Sequence, residues 1–270
     1  IDCNDITMMY SVVDVAGLNN VSRRVLSNAA HAIAGMVSHT VDYPQAETTV
    51  GMTMFGVTTP CVSRVRDSLE RAGNECLVFH ATGTGGRAME QLVESGMIQG
   101  ALDVTTTEVA DEIVGGVFPA GPERFDRIIA AKIPYVISLG ALDMVNFGSI
   151  DTVPEQFRHR NLYSHNSQVT LMRTNQQDNE AIAIWIANKL NRSAAPITMV
   201  IPERGLSSLD ADGQLFQDLD ANQVLFDTLS DQLIQTHQRR IVRLPLHIND
   251  PDFADALVSE YATSAQMQGQ

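Results

Sequence analysis

Apolar and polar positions change period several times along this chain, and the changes mark out its elements. Asp5 to Val13 (DITMMYSVV) predicts an extended segment. Ser22 to Ser38 follows, with Val25, Leu26, Ala29, Ile33, Met36 and Val37 at helical spacing. Asn20 or Ser22 supplies a cap for that helix, and Asp42-Tyr43-Pro44-Gln45 its exit turn. From Thr48 onward, short apolar runs alternate with helical periods. The runs predict strands at Val50 to Val57, Cys76 to Phe79, Ile98 to Val104, Tyr135 to Leu139, Pro196 to Ile201 and Ile241 to Leu244.

Helices are predicted between them. Thr59 caps one that has Pro60 at its first position and Val62, Val65, Leu69 and Ala72 as its buried stripe, before Gly73 ends it. Others run from a glycine-rich turn to near Gly96, onward from Thr107, from Pro122 to Lys132, from Glu180 to Leu190 and from Ala221 to Gln238. Strands alternating with helices predict an α/β fold, a parallel-sheet Rossmann-like lobe with right-handed crossovers over residues 46–270. Residues 1–45 read as an N-terminal helical crossover segment. Its helix is so poor in charge that it is expected to pack on a first lobe missing from this sequence. The chain lacks an initiator Met and opens mid-pattern, which also reads as part of a longer protein.

Composition narrows the function. Of 270 residues 44% are apolar and 19% charged, enough for a sizeable core. Thirty-two acidic residues against 18 basic ones leave a net charge of −14, which argues against a nucleic-acid binder that needs a basic face. Cys3, Cys61 and Cys76 are too few and too irregular for a disulfide framework or a zinc knuckle, and they suit a reducing compartment. No apolar run approaches the roughly 20 residues of a membrane span, so a cytoplasmic protein without membrane contact is expected.

In open parallel sheets, ligands bind beyond the carboxyl ends of the strands. The residues that follow each predicted strand are therefore read as a set: Thr58-Thr59-Pro60, His80 to Arg87, Asp103 to Glu108, Gly140 to Gly148 and Pro202 to Ser208. Most are small, hydroxylic or glycine, which suits an oxygen-rich guest. Thr82-Gly83-Thr84-Gly85-Gly86-Arg87 opens a helix straight after a strand, where free N–H groups attract an anion. The same glycines also serve any short strand-to-helix connection. The turn is neither a Walker A loop nor a spaced G-x-G-x-x-G, and Lys132 and Lys189 lie elsewhere.

Rival chemistry stays open. His80 at a strand end is a candidate base or a structural histidine, and Cys61 in a helix's first turn a candidate nucleophile without a visible partner. Asp103, Glu108, Asp111, Glu112 and Asp143 are candidate Mg²⁺ ligands beside a phosphate, in a spacing that matches no metal motif. Arg158 to Arg173 reads as a long basic, aromatic loop, either a cover for the strand edge or a partner for acidic surface.

Several strings then carry a resemblance. DITMMYSVVD at 5–14, HATGTGGRAME at 80–90, DVTTTE at 103–108, GALDMVN at 140–146, LMRT at 171–174 and PERG at 202–205 resemble, in order, the Tm-1-like ATP-binding family. The resemblance implies two α/β lobes, of which this chain looks like the second plus the crossover from the first. It implies ATP, with Mg²⁺ as a possible companion, cradled by Thr82 to Arg87 and edged by Thr58, Thr105, Thr106, Gly140 and Asp143. A homo-oligomer and a TIM-barrel-like partner are expected from it as well. The alternatives are an enzyme on a small carbonyl or carboxylate metabolite using His80 or Cys61, and a protein-interaction scaffold.

Overall fold

The computed structural model describes residues 6–15, 17–39 and 48–268, so Cys3, Asp5 and the expected turn at 42–45 lie outside it. The chain divides into two units, Ile1–Gln45 and Ala46–Gln270. In the first, helix α1 (Asn20–Ser38) is capped by Asn19 rather than Asn20 or Ser22. The Asn19 side chain accepts the N–H groups of Val21 and Ser22 at 2.9 Å each. Ser22 returns the contact by accepting the Asn19 N–H at 2.8 Å, so it completes a capping box instead of founding the helix. Leu26, Ile33, Met36 and Val37 are exposed, Val37 to 78%. The described part of the expected extended segment forms no strand, and Val12 sits at φ 68°.

The second unit runs β1 (Thr49–Met54), α2 (Thr59–Arg71), β2 (Glu75–His80), α3 (Thr84–Glu94), β3 (Gly100–Thr105), α4 (Thr107–Val114), α5 (Asp126–Ala131) and β4 (Tyr135–Gly140). It continues through β5 (Met144–Phe147), β6 (Leu162–Asn166), β7 (Val169–Arg173), α6 (Gln176–Leu190), β8 (Ile197–Pro202), α7 (Leu219–Gln232), β9 (Arg239–Leu244) and α8 (Pro251–Gln268). Six strands form one parallel sheet in the order β2-β1-β3-β4-β8-β9. This is a Rossmann-like, doubly wound α/β architecture.

The sheet is parallel because every connection carries a helix that must be buried. β3, β4 and β8 are buried at every position, so they appear in the sequence as mainly apolar runs rather than alternations, interrupted by the buried polar residues Asp103, Thr105, Ser138 and Thr198. On one face α2 and α8 set Val62, Val65, Leu69, Phe253 and Leu257 against Met52, Leu102 and Val104. On the other, Met89, Ile128, Ile182, Ile186 and Leu225 from α3, α5, α6 and α7 pack on Ala101, Ile137 and Met199.

Several elements depart from their expected form. The helix predicted from Pro122 starts at Asp126, because Arg124 and Phe125 are drawn into the core. Phe125 takes φ 75° and gives its N–H to Glu90 at 2.7 Å. α7 stops at Gln232, short of Gln238. Arg239 donates to the carbonyls of Leu190, Asn191, Ser193 and Ile234, which fixes the turn into β9. α8 was not expected.

The segment Arg158 to Arg173 is not a long loop. It contains the β6–β7 hairpin, and β5 joins β7 to give a three-stranded antiparallel sheet. Its basic character is spent internally. Arg160 pairs with Asp178 at 2.6 Å, and the buried Arg173 donates to the Phe216 carbonyl at 2.6 Å and to Asn222 at 2.6 Å. Among the described residues no helix is long and apolar enough to cross a membrane.

Candidate functional site

The chain leaves β1 for the sheet edge at β2 and returns to β3 on the other side of β1. This places the topological switch between the carboxyl ends of β1 and β3. The residues expected there are brought together, but below the surface. The hydroxyls of Thr58 and Thr105 meet at 2.7 Å, and Thr53 donates to Asp103 at 2.6 Å while accepting the Thr105 N–H at 3.0 Å. Thr106 donates to the Ser138 carbonyl at 3.1 Å. Gly140 is buried, and a Cβ on it would run into the Val104 carbonyl.

Asp143 is buried and accepts the Ser207 hydroxyl at 2.7 Å. Burial, with Asp210 close by, pushes its carboxyl up to about 7 against the opposing pull of Arg173 and Ser207. Thr58, Thr105, Thr106, Gly140 and Asp143 thus form a hydrogen-bonded floor, with no surface of their own for a guest.

The glycine-rich turn lies where the sequence places it, between β2 and α3. Gly83 takes φ 81° ahead of the helix, and a Cβ on Gly85 would collide with the His80 carbonyl. Thr84 is exposed, and Thr82, Gly85 and Arg87 are half-buried. The Gly86 N–H is engaged from inside, donating to the Glu108 carboxylate at 3.0 Å.

Behind Glu108 stands a feature that no sequence signal announced. Arg124 is fully buried and holds Glu90 at 2.9 Å, Asp103 at 2.8 Å and Glu108 at 3.4 Å. Tyr135 donates to Asp103 at 2.9 Å. Burial raises the Glu90 and Glu108 carboxyls, and the three acids hold the Arg124 guanidinium protonated. Asp103 and Glu108 are therefore turned inward, away from any phosphate-bound Mg²⁺. Asp111 accepts the Asn146 and Phe118 N–H groups, and burial lifts it to about 7. Among the described residues no His, Cys, Asp and Glu side chains gather to hold a metal ion.

A cavity of about 490 Å³ opens among the loops after β1 and β8, the end of β2 and the β6–β7 hairpin, and none of Thr58, Thr105, Thr106, Gly140 and Asp143 lines it. The loop after β1 supplies Phe55, Gly56 and Val57, and the end of β2 supplies His80. The β6–β7 hairpin covers it with Tyr163, His165, Val169 and Leu171, and the loop after β8 closes a side with Ser208 and Leu209. Phe55 and His80 stand with ring centres 5.3 Å apart, and Tyr163 and His165 at 6.3 Å. Phe216 backs Tyr163 edge-on at 6.5 Å. The Ser208 N–H bonds the Val57 carbonyl at 3.1 Å, tying two walls together.

Of the candidate catalytic residues, His80 reaches the cavity wall. Cys61 does not. It is buried against the sheet in α2, and burial alone pushes its thiol up to about 12, leaving no thiolate to act as a nucleophile. The sequence alone marks His80 and Ser208, within the sets His80 to Arg87 and Pro202 to Ser208, as rim residues. Tyr163 and His165 belong to the 158–173 segment, for which a cover over the strand edge is one of the two sequence readings, and they line the cavity from the hairpin; Phe55, just after β1, carries no assignment from the sequence.

Comparison with known proteins agrees with the sequence strings. The UPF0261 family C-terminal domain (described as an uncharacterised protein family) matches residues 47–265, and the family's N-terminal domain matches residues 1–42. A UPF0261 protein of Rhizobium meliloti (strain 1021) is 52% identical over 97% of this chain and 65% of its own length. The ToMV resistance protein Tm-1(GCR237) of Solanum lycopersicum is 49% identical over 97% of this chain and 35% of its own. A UPF0261 protein of Clostridium tetani (strain Massachusetts / E88) is 49% identical over 95% of this chain and 63% of its own. The chain thus spans less than two thirds of these relatives, and it belongs to the UPF0261 family, with the tomato Tm-1 protein a homologue.

Proposed function

We propose that the α/β unit is a nucleotide-binding module for ATP. The base sits in the aromatic cavity, and the phosphates pass His80 toward the exposed start of α3. The observation that carries this reading is the continuity of the two parts. His80 is both a cavity wall and the last strand residue before the glycine-rich turn. In this reading Thr82, Thr84 and Arg87, with the amide of Gly85, meet phosphate, while Gly83 is buried and shapes the turn. Thr58, Thr105, Thr106, Gly140 and Asp143 are buried and hold the strand ends in place rather than touch the nucleotide, and Mg²⁺ enters only as the nucleotide's companion. A cytoplasmic setting, self-association and a TIM-barrel-like partner belong to the same reading.

Calorimetric titration with ATP and Mg²⁺ tests it. Thr84→Glu is the sharpest variant: an acidic residue in a helix's first turn favours the helix but repels phosphate. Binding is expected to weaken roughly tenfold, about 1.4 kcal/mol, with stability retained. No heat at millimolar ATP, or an unchanged affinity in Thr84→Glu, rejects the phosphate seat.

A second reading has its own support. His80 and His165 line one cavity, so acid–base chemistry on a small carbonyl or carboxylate metabolite is available there. It predicts loss of turnover in His80→Ala with the fold intact.

A further inference from the structure

The cavity lacks the acidic character of the protein around it. The chain carries 32 acidic residues and a net charge of −14, yet no Asp or Glu lines this cavity. Its titratable groups are His80 at the end of β2 and Tyr163 and His165 on the hairpin. The carboxylates nearest in sequence to its walls are committed elsewhere: Glu75 to the Thr49 hydroxyl, Glu90 to Arg124, Glu155 to Arg158, Asp178 to Arg160, and Asp210 to Arg173 and Asn222. Among the described residues neither imidazole has a hydrogen-bond or ion-pair partner. Each has one ring neighbour, Phe55 for His80 and Tyr163 for His165. Uncommitted imidazole N–H groups against two aromatic rings, with Val57, Leu171 and Leu209 around them, offer an apolar slot with donors and no anionic acceptor.

We infer that this cavity selects a planar, ring-bearing guest with an acidic group at its edge, and that His80 and His165 recognise that group. A cation would enter without a counter-ion. A neutral ring would gain the apolar contacts alone. An acid gains both, because hydrogen bonds from imidazole to an ionised oxygen are charge-assisted. The volume of about 490 Å³ admits a bicyclic ring with its acid. The inference rests on the cavity being the binding site assigned above, and not on its guest being a nucleotide.

Three probes of one shape separate the possibilities: 2-naphthoate, its uncharged amide and the corresponding amidinium, each titrated into the full chain in the same buffer at equal ionic strength. The naphthoate is expected to bind roughly fivefold more tightly than the amide, and the amidinium more weakly than either. His80→Gln and His165→Gln should each remove most of that margin while amide binding persists, which also reports that the cavity is folded. Equal affinities across the series, preference for the amidinium, no binding of any probe, or a margin untouched by both variants would each overturn the inference. ATP is a separate arm. ATP binding without the charge order leaves the nucleotide seat standing and ends this proposal. The charge order without ATP binding does the reverse.

Discussion

The Glu108 carboxylate accepts the Gly86 N–H at 3.0 Å, so the first turn of α3 meets an anion that belongs to the protein itself. A helix start favours negative charge within its first turn, and here part of that preference is already satisfied from the core side. Any phosphate approaching from the rim shares the field with Glu108. Glu108→Gln keeps the shape and removes the competing charge. ATP affinity is expected to rise by roughly threefold, the size of one screened charge at a helix end. Calorimetry on the two proteins at equal ionic strength checks it, and unchanged or weaker binding counts against a phosphate at α3.

Arg124 is the common partner of Glu90, Asp103 and Glu108, all buried. Removing it strands three carboxylates. Arg124→Met, similar in volume but uncharged, is expected to cost about 3–5 kcal/mol, the penalty for breaking a buried ion pair from one side. Urea unfolding near neutral pH measures this. The loss should shrink at lower pH as the orphaned acids take up protons.

Asp143 and Asp111 each have a carboxyl raised to about 7 by burial. A raised folded-state value means that the native protein binds these protons more tightly than the unfolded chain. The contribution is complete below the unfolded carboxylate range and is lost as pH rises toward 7. Stability is therefore expected to fall between pH 5 and pH 8. Asp143→Asn removes one of the two groups, and the fall should be smaller by about 2 kcal/mol. Denaturant midpoints at the two pH values give the comparison; an equally steep fall in the variant contradicts the assignment.

Cys61 packs in the α2 face of the core with its thiol pushed up to about 12. Iodoacetamide at pH 8 should leave Cys61 unmodified in the native protein and alkylate it fully in urea, as read by peptide mass mapping. Cys61→Ala should leave ligand binding within about twofold of the parent, at a cost of roughly 1 kcal/mol in packing. Rapid native alkylation would restore it as a candidate nucleophile.

The parallel sheet was legible because its inner strands are buried on both faces, as the mainly apolar run at Tyr135 to Leu139, broken only by Ser138, reports directly. α8 carried a readable signal too. Asp250 and Pro251 open it, and Phe253, Ala254, Leu257 and Tyr261 recur at helical spacing on its buried side. The hairpin was harder. Leu162 to Asn166 is half-exposed and polar at its tip, so strand alternation shows only where Thr170, Leu171 and Met172 turn inward. The threonines at the strand ends were correctly placed at one edge. Their fate as a floor depended on Thr58 and Thr105 finding each other across 47 residues of sequence, which local pattern does not encode. The same holds for Arg124, an arginine in a turn that reads as solvent-facing until Glu90, Asp103 and Glu108 converge on it.

The hairpin over the cavity is fastened at its far end, where Arg173 joins it to Asp210, Phe216 and Asn222. That anchorage makes the roof a wall rather than a flap. On the proposed reading, guests of differing outline would be met by rotation of Tyr163 and His165, with the backbone staying put. Evolutionary drift at those two positions would retune what the chamber admits, whereas drift at Arg173 would unseat the roof itself.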